Sequence, residues 1–157
     1  YVYINPIGSV TSTFTISMWA KIENISSVGN IFDTRNPSEY GFDIKFSYGN
    51  NIHGDVGNGS SWITVSADAS LNYQANTWYH IVYVIGRTGY KIYVNGNEIG
   101  SDNYLDNTPI LFDDNHDINI GRYSGGSEYF HGLIDEVHIY NRALSTIEIQ
   151  SIYNATK

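Results

Sequence analysis

The chain has 157 residues, enough for one domain that buries roughly two thirds of the surface its unfolded form would expose. Its formal net charge is −8, and the eight Lys and Arg are scattered; that balance excludes a phosphate backbone as partner and is compatible with cations and neutral sugars. Cysteine is absent, which excludes disulfides and thiolate metal sites, and no run approaches the ~20 apolar residues of a membrane span.

The opening "YVYINPIGSV" is already strand-like and carries no signal peptide, so the expectation is a module cut from a longer, multidomain chain. In "TFTISMWAKI", Phe14, Ile16, Met18, Ala20 and Ile22 alternate with polar residues and Trp19, the pattern of a half-buried strand. "NIFDTR" and "YGFDIKF" read as strands separated by the turn-rich "NPSE". "NIHGDVGNGSSWITVS" predicts a hairpin around Gly57-Asn58-Gly59. The long strand "TWYHIVYVI" turns through Gly86-Arg87-Thr88-Gly89 into "YKIYV", and Asn95-Gly96 is a two-residue hairpin signal leading back through "NEIG". After a polar stretch, "DINIGRY" and "FHGLIDEVHIYN" complete the strands. Only "STIEIQSIYN" reads as a helix, with Ser145 as N-cap and Glu148 three residues on at capping-box spacing. About ten short strands with one terminal helix predict an all-β, two-sheet antiparallel sandwich forming a single domain over 1–157. The three Asn-x-Ser/Thr sequons are what chance gives in so Asn-rich a chain.

The order "FTISMWAKI", "YGFDIKF", "NTWYHIVYVI…YKIYVNGNEIG" and "INIGRY…FHGLIDEVHIYNRALSTIEIQSIY" resembles the laminin G-like branch of the concanavalin A-like lectin/glucanase superfamily, over about residues 14–153. Trp78-Tyr79-His80, Tyr93-Val94-Asn95-Gly96 and residues 132–144 carry the resemblance most specifically. It implies a jelly roll with one curved sheet, often joined to secreted bacterial glycosidases or surface proteins and often sugar-binding. The glucanase relatives use a Glu-x-Asp-x-Glu strand for catalysis. No such strand is present: Asp43 in "YGFDIKF" has no Glu two residues to either side. The Arg-rich and Gln-x-His strands of the alginate-lyase relatives are missing too. His53, His80, His116, His131 and His138 are dispersed without metal-ligand spacing, and His80, among aromatics, reads as structural. The expectation is no enzymatic activity.

Alternation along 133–140 places Asp135 on a face with Leu133, Val137 and Ile139, where a lone carboxylate needs a partner. Backbone amides, Arg142 or a cation are the candidates. The resemblance implies the last: in glucanase-like relatives the matching Asp binds a structural Ca2+ with backbone carbonyls near the N-terminus, a site suited to calcium's loose oxygen shell. The acidic loop that holds calcium in pentraxin relatives is reduced here to Glu128, and "FDDNHD" (113–117 with its preceding Phe) lacks EF-hand spacing and reads as a solvated turn.

Sugar binding needs flat aromatic faces and a few fixed donors and acceptors. The loop residues of that kind are Arg35 and Tyr40 around the Asn36-Pro37 turn, Trp62 after Gly57-Asn58-Gly59, and Arg122, Tyr123 and Tyr129 around Gly125-Gly126. Each is weighed against plain packing, to which Trp19 and Trp78 are assigned. The reading is a carbohydrate-binding module of a secreted or cell-surface bacterial protein, taking polysaccharide or oligosaccharide, with no nucleic acid and no membrane insertion. The alternative is a protein-interaction or adhesion module without sugar.

Overall fold

The structure, a computed structural model, describes residues 1–4, 8–36, 40–114 and 116–157. Its strands form two main antiparallel sheets because two runs with strict period-two alternation need an apolar partner layer. The six-stranded sheet runs in the order β1 (Val2–Ile4), β14 (Ile118–Ile120), β4 (Gly29–Asp33), β5 (Asp43–Ser47), β6 (Asn51–His53), β9 (Ala69–Ser70). The five-stranded sheet runs β12 (Asn97–Asn103), β11 (Gly89–Val94), β10 (Trp78–Ile85), β3 (Phe14–Ile22), β15 (Gly132–Tyr140). Two short pairs, β2 (Val10–Thr11) with β13 (Ile110–Phe112) and β7 (Val56–Gly57) with β8 (Trp62–Thr64), complete the strands. This is the antiparallel sandwich that the sequence predicts, with its one helix, α1 (Thr146–Thr156), at the end.

Between the sheets lie Phe14, Ile16 and Met18 of β3, Ile81 and Tyr83 of β10, and Phe32, Ile44 and Phe46 from the opposite layer, all without solvent contact. The predicted hairpin at Asn95-Gly96 forms with φ of 51° and 79°, the left-handed pair that a two-residue turn between twisted strands requires. The hairpin at 57–59 forms as well. A Cβ on Gly57 would stand 2.1 Å from the Tyr40 carbonyl oxygen, so that close crossing of chains needs glycine.

Helix α1 lies on the outer face of the five-stranded sheet. Ser145 caps it with both bonds of a capping box: its side chain accepts from the Glu148 N–H, and its own N–H donates to Glu148 Oε2 at 2.8 Å. Ile149 and Leu144 are buried against Val82, Val84 and Tyr93, and Trp19 stacks on Tyr153 at 5.8 Å while donating from Nε1 to the Thr156 hydroxyl at 2.9 Å. His80, structural as expected, meets Ser17 Oγ at 2.9 Å under this cover. Burial, with the charge of His138 adding to it, depresses its pKa to about 4.

Strand β15 corrects one expectation. Asp135 pairs with Trp19 but His138 with Ser17, so one extra residue enters between them, and Glu136 takes φ of 49°. This bulge breaks the alternation. Ile134 and Val137 pack on the core, whereas Asp135 is exposed and Leu133 is 49% exposed. Asp135 thus shares no buried face with Val137. Its Oδ1 accepts from the Glu136 N–H at 2.8 Å, and Arg142 pairs instead with Glu148 at 2.7 Å.

Candidate functional site

Strands β4, β5 and β6 are neighbours, and each carries two charged residues two positions apart in or just beyond the strand: Asp33 and Arg35, Asp43 and Lys45, His53 and Asp55. A spacing of two keeps each pair on one face, opposite Phe32, Ile44, Phe46 and Ile52 in the core. Register brings the pairs together: Asp33 lies across from Asp43, Lys45 from His53. A register shift between Asn30 and Phe32 sends both Ile31 and Phe32 into the core, and so turns Asn30 to the same outward side as Asp33. Asn30 Nδ2 reaches Asp33 Oδ2 at 3.3 Å and Asp43 Oδ2 at 3.4 Å.

Charges on a sheet face this well covered must be paired. Arg35 sits at the centre. Its Nε meets Asp33 at 2.6 Å, Nη2 meets Asp43 at 3.0 Å and Glu128 at 3.1 Å, and Nη1 meets Asp55 at 3.5 Å. The guanidinium also stacks on the Tyr123 ring at 4.3 Å. Lys45 Nζ bridges Asp43 at 2.9 Å and Asp55 at 3.2 Å. His53 Nε2 meets Asp55 at 3.1 Å and its Nδ1 meets Asp68 at 2.6 Å. Backbone joins in: the Asp55 N–H donates to Asp43 Oδ1 at 2.7 Å, and the Ser124 N–H to Asp33 Oδ1 at 3.3 Å. The Ser124 hydroxyl donates to the Arg35 carbonyl, fastening the loop after β14 over the network.

Electrostatics follows the geometry. Burial pushes the Asp33 carboxyl up to about 7, against the pull of Arg35. Burial also raises Asp55, but its hydrogen bond with His53 and the charge of Lys45 outweigh that and leave it below its usual range. Burial pulls His53 down, but its hydrogen bond to Asp55 together with the charges of Asp55 and Asp68 holds it above its usual value. The floor is thus nearly solvent-free, with the Arg35 side chain 11% and Lys45 12% exposed, while Glu128 (31%) and Asp68 (43%) stand open at its rim. The rim carboxylates Glu128 and Asp68 are thus acceptors within reach of hydroxyl groups.

Of the six loop residues expected to bind sugar, the structure brings Arg35, Tyr123 and Arg122 together. Arg35 and Arg122 flank a cavity of about 130 Å3 with Asn36, Asn119 and Ser124. Arg122 donates from Nε to Asn119 Oδ1 at 3.1 Å and stacks on Tyr1 at 4.0 Å. Tyr129, 47% exposed, bridges to Asn30 through the backbone. Tyr40 and Trp62 form an edge-on pair of their own at 5.2 Å, where the Gly57 and Gly59 N–H groups donate to the Gly41 and Tyr40 carbonyls. Pro37 of the Asn36-Pro37 turn and Asn115 of the acidic stretch lie outside the described residues.

Asp33, Asp43, Lys45, His53, Asp55 and Glu128 were not singled out as binding residues from the sequence. The signal was present as charge alternating with Phe and Ile in "FDTR" and "FDIKF", and as His-x-Asp in "IHGDV". Among the described residues, Asp43, His53 and Asp55 form the one group with three ligating atoms within 4.8 Å of one another. Metal-ligand spacing is therefore created across two strands, although the histidines look dispersed along the chain. These three residues have the donor chemistry for a cation, but the Lys45 ammonium already bridges the two carboxylates. Asp135 and Glu136 line a different cavity, of about 390 Å3, beside Tyr1 and Val2 of the first strand.

A family model described as the concanavalin A-like lectin/glucanases superfamily matches residues 1–150. No curated protein sequence matches the chain. Among solved structures it is similar to domain 4 of an extracellular GH43 arabinanase from Geobacillus stearothermophilus, solved with arabinotriose, at 21% identity and a TM-score of 0.70, covering 95% of this chain and 69% of that one. It is similar to the CBM40 of a Ruminococcus gnavus IT-sialidase at 16% identity and a TM-score of 0.70, over 90% of this chain and 83% of the other. The receptor-binding domain of botulinum neurotoxin mosaic serotype C/D matches at 15% identity and a TM-score of 0.66, with 92% of this chain and 37% of that one covered. At such identities the likeness is one of fold. By its sequence the chain belongs to the laminin G-like branch of the concanavalin A-like lectin/glucanase superfamily.

Proposed function

We propose that the chain is a non-catalytic carbohydrate-binding module that holds a larger secreted or cell-surface bacterial protein against polysaccharide. One observation carries the reading: three neighbouring strands present paired charges on a single outward face, locked by Arg35 and Lys45, with open carboxylates and the Tyr123 and Tyr129 rings at the rim. Rigid acceptors beside aromatic faces are what a sugar's hydroxyls and C–H faces require. Superfamily membership and the arabinotriose bound by a domain of the same fold support it. Both oxygens of Asp43 are committed, Oδ1 to the Asp55 N–H and Oδ2 to Arg35 and Lys45, which suits a binding floor rather than a proton-transferring pair.

In this reading Arg35 shapes the floor, Tyr123, Tyr129 and Arg122 border it, and Tyr40 with Trp62 extends the aromatic surface. A glycan array with the purified chain, run with calcium and with chelator, tests it. Binding should appear on polysaccharide or oligosaccharide and should weaken in a folded Trp62→Ala/Tyr123→Ala double variant. Retention of full affinity by that variant would move the site elsewhere. Release of reducing ends by the pure domain would overturn the non-catalytic part.

Calcium is proposed as a structural ion held by Asp135, with the open carboxylate of Glu136 beside it. Chelator should then lower the Tm, and Asp135→Ala should abolish that sensitivity. Sensitivity that instead disappears in His53→Ala would place the cation on the charged floor. A second reading, protein adhesion without sugar, draws on the edge strand β1, where Tyr1, Val2, Tyr3 and Ile4 are 72, 52, 52 and 41% exposed. An array empty of glycan hits would favour it.

A further inference from the structure

The charged floor also bears on which sugars it admits, an inference that rests on the carbohydrate-binding reading above. A domain that recognises an acidic sugar needs a guanidinium or ammonium with donors directed at the ligand's carboxylate. Here the two permanent cations of the floor are already committed. Arg35 makes contacts from Nε, Nη1 and Nη2 to four carboxylates, and its ring-like face is covered by Tyr123. Lys45 bridges two more carboxylate contacts at 2.9 and 3.2 Å. Within this ion-pair network the groups that remain open are carboxylates, Glu128 at 31% and Asp68 at 43% exposure.

The charge balance points the same way. Asp33, Asp43, Asp55, Asp68 and Glu128 face Arg35, Lys45 and His53. These five carboxylates stand against two permanent cations and His53, within a chain whose total formal charge is −8. An approaching uronate or sialate meets repulsion from the Glu128 and Asp68 carboxylates, whereas a neutral sugar can donate its hydroxyl hydrogens to their oxygens. Arg122, outside this network, donates to Asn119 and stacks on Tyr1, and Asp117 lines the same cavity.

We infer that the charged face formed by β4, β5 and β6 selects neutral glycans and rejects acidic ones, with Glu128 and Asp68 as the discriminating residues. The test is calorimetric titration of the 157-residue chain with neutral oligosaccharides (arabino-, xylo- and galacto-series) and acidic ones (oligogalacturonate, sialyllactose) at low and high salt. At least one neutral series should bind, with the acidic ligands weaker by about tenfold or more at low salt, and the gap should narrow at high salt as screening weakens the repulsion. Glu128→Gln keeps a hydrogen-bonding side chain beside Arg35 while removing one rim charge, and it should reduce the neutral-to-acidic ratio by about threefold, the scale of one exposed charge pair. Acidic ligands binding as tightly as neutral ones would overturn the inference and leave the carbohydrate reading standing. An unchanged ratio in Glu128→Gln would likewise overturn it. Failure of every sugar, neutral and acidic, would overturn the carbohydrate reading and the inference together.

Discussion

The two outer faces of the sandwich solve the same problem in opposite ways. On the five-stranded sheet, Val82, Val84 and Tyr93 are covered by α1 and its lead-in, so the outer face becomes a second, smaller apolar core. On the six-stranded sheet, no helix among the described residues covers the face; Arg35, Lys45 and five carboxylates are fitted to one another instead, with the loop around Ser124 closing over them. The apolar seal derives its strength from area and packing density. The charged face derives its order from mutual neutralisation, so each member's worth depends on its partners being present. The sealed face keeps cavities of about 730 and 530 Å3 at the two ends of α1, whereas the charged face leaves the Glu128 and Asp68 carboxylates open at its rim.

If that contrast is right, the largest effect should come from the centre of the charged face. Arg35→Met should leave Asp33, Asp43 and Glu128 without their shared cation and lower stability by about 3–5 kcal/mol, measured by urea unfolding. A loss near zero would mean that the network is ornamental to the fold. On the sealed face, Ile149→Ala should cost about 2–4 kcal/mol through the cavity it leaves, with increased exposure of Trp19 to a fluorescence quencher. The combined variant should show additive losses, because the two residues lie on opposite faces of the sandwich and share no partner.

The faces should also respond to pH with opposite sign. Asp33 is raised from its ordinary 3.8 to about 7, so the native state holds the proton more tightly than the unfolded chain. Its contribution is fully present below pH 4 and is lost as pH rises through 7, and His53, also raised, acts in the same direction. His80 is depressed from 6.5 to about 4, so its contribution is present above pH 6.5 and is lost as pH falls toward 4. Thermal melts from pH 4 to pH 8 should therefore show Asp33→Asn removing a decline toward high pH and His80→Gln removing a decline toward low pH. Equal slopes in the two variants would erase the distinction. The smallest effect belongs to the helix cap: Ser145→Ala should lower stability by about 1 kcal/mol, read from the same melts.

Much of the sealed face was legible in the chain. Ser145 and Glu148 announce the cap, and the alternation of Phe14, Ile16 and Met18 announces the buried side of β3, because both signals are local and follow from helix and strand periods alone. The charged face was half legible. In the sequence Asp43 reads only as a poor match to a catalytic strand and Arg35 only as a loop residue suited to sugar binding, since nothing in "FDTR" or "FDIKF" alone says that these strands lie side by side. Asp135 misled for a different reason. Alternation assumes an unbroken ladder, and the extra residue at Glu136 is a property of how β15 pairs with β3.

The sequence by itself determined which face of β3 is apolar, where the helix begins and where Asn95-Gly96 turns the chain; each follows from local period or backbone preference. Only the tertiary structure decided that Asp33, Arg35, Asp43, Lys45, His53 and Asp55 form one network, that Arg35 is shared among four carboxylates, and that Tyr40 pairs with Trp62 rather than with Tyr123. Strand order, register and the bulges at Asn30 and Glu136 set those distances. They arise from long-range pairing, in which residues 20 to 90 positions apart come into hydrogen-bond range, and no local period encodes which strand lies next to which.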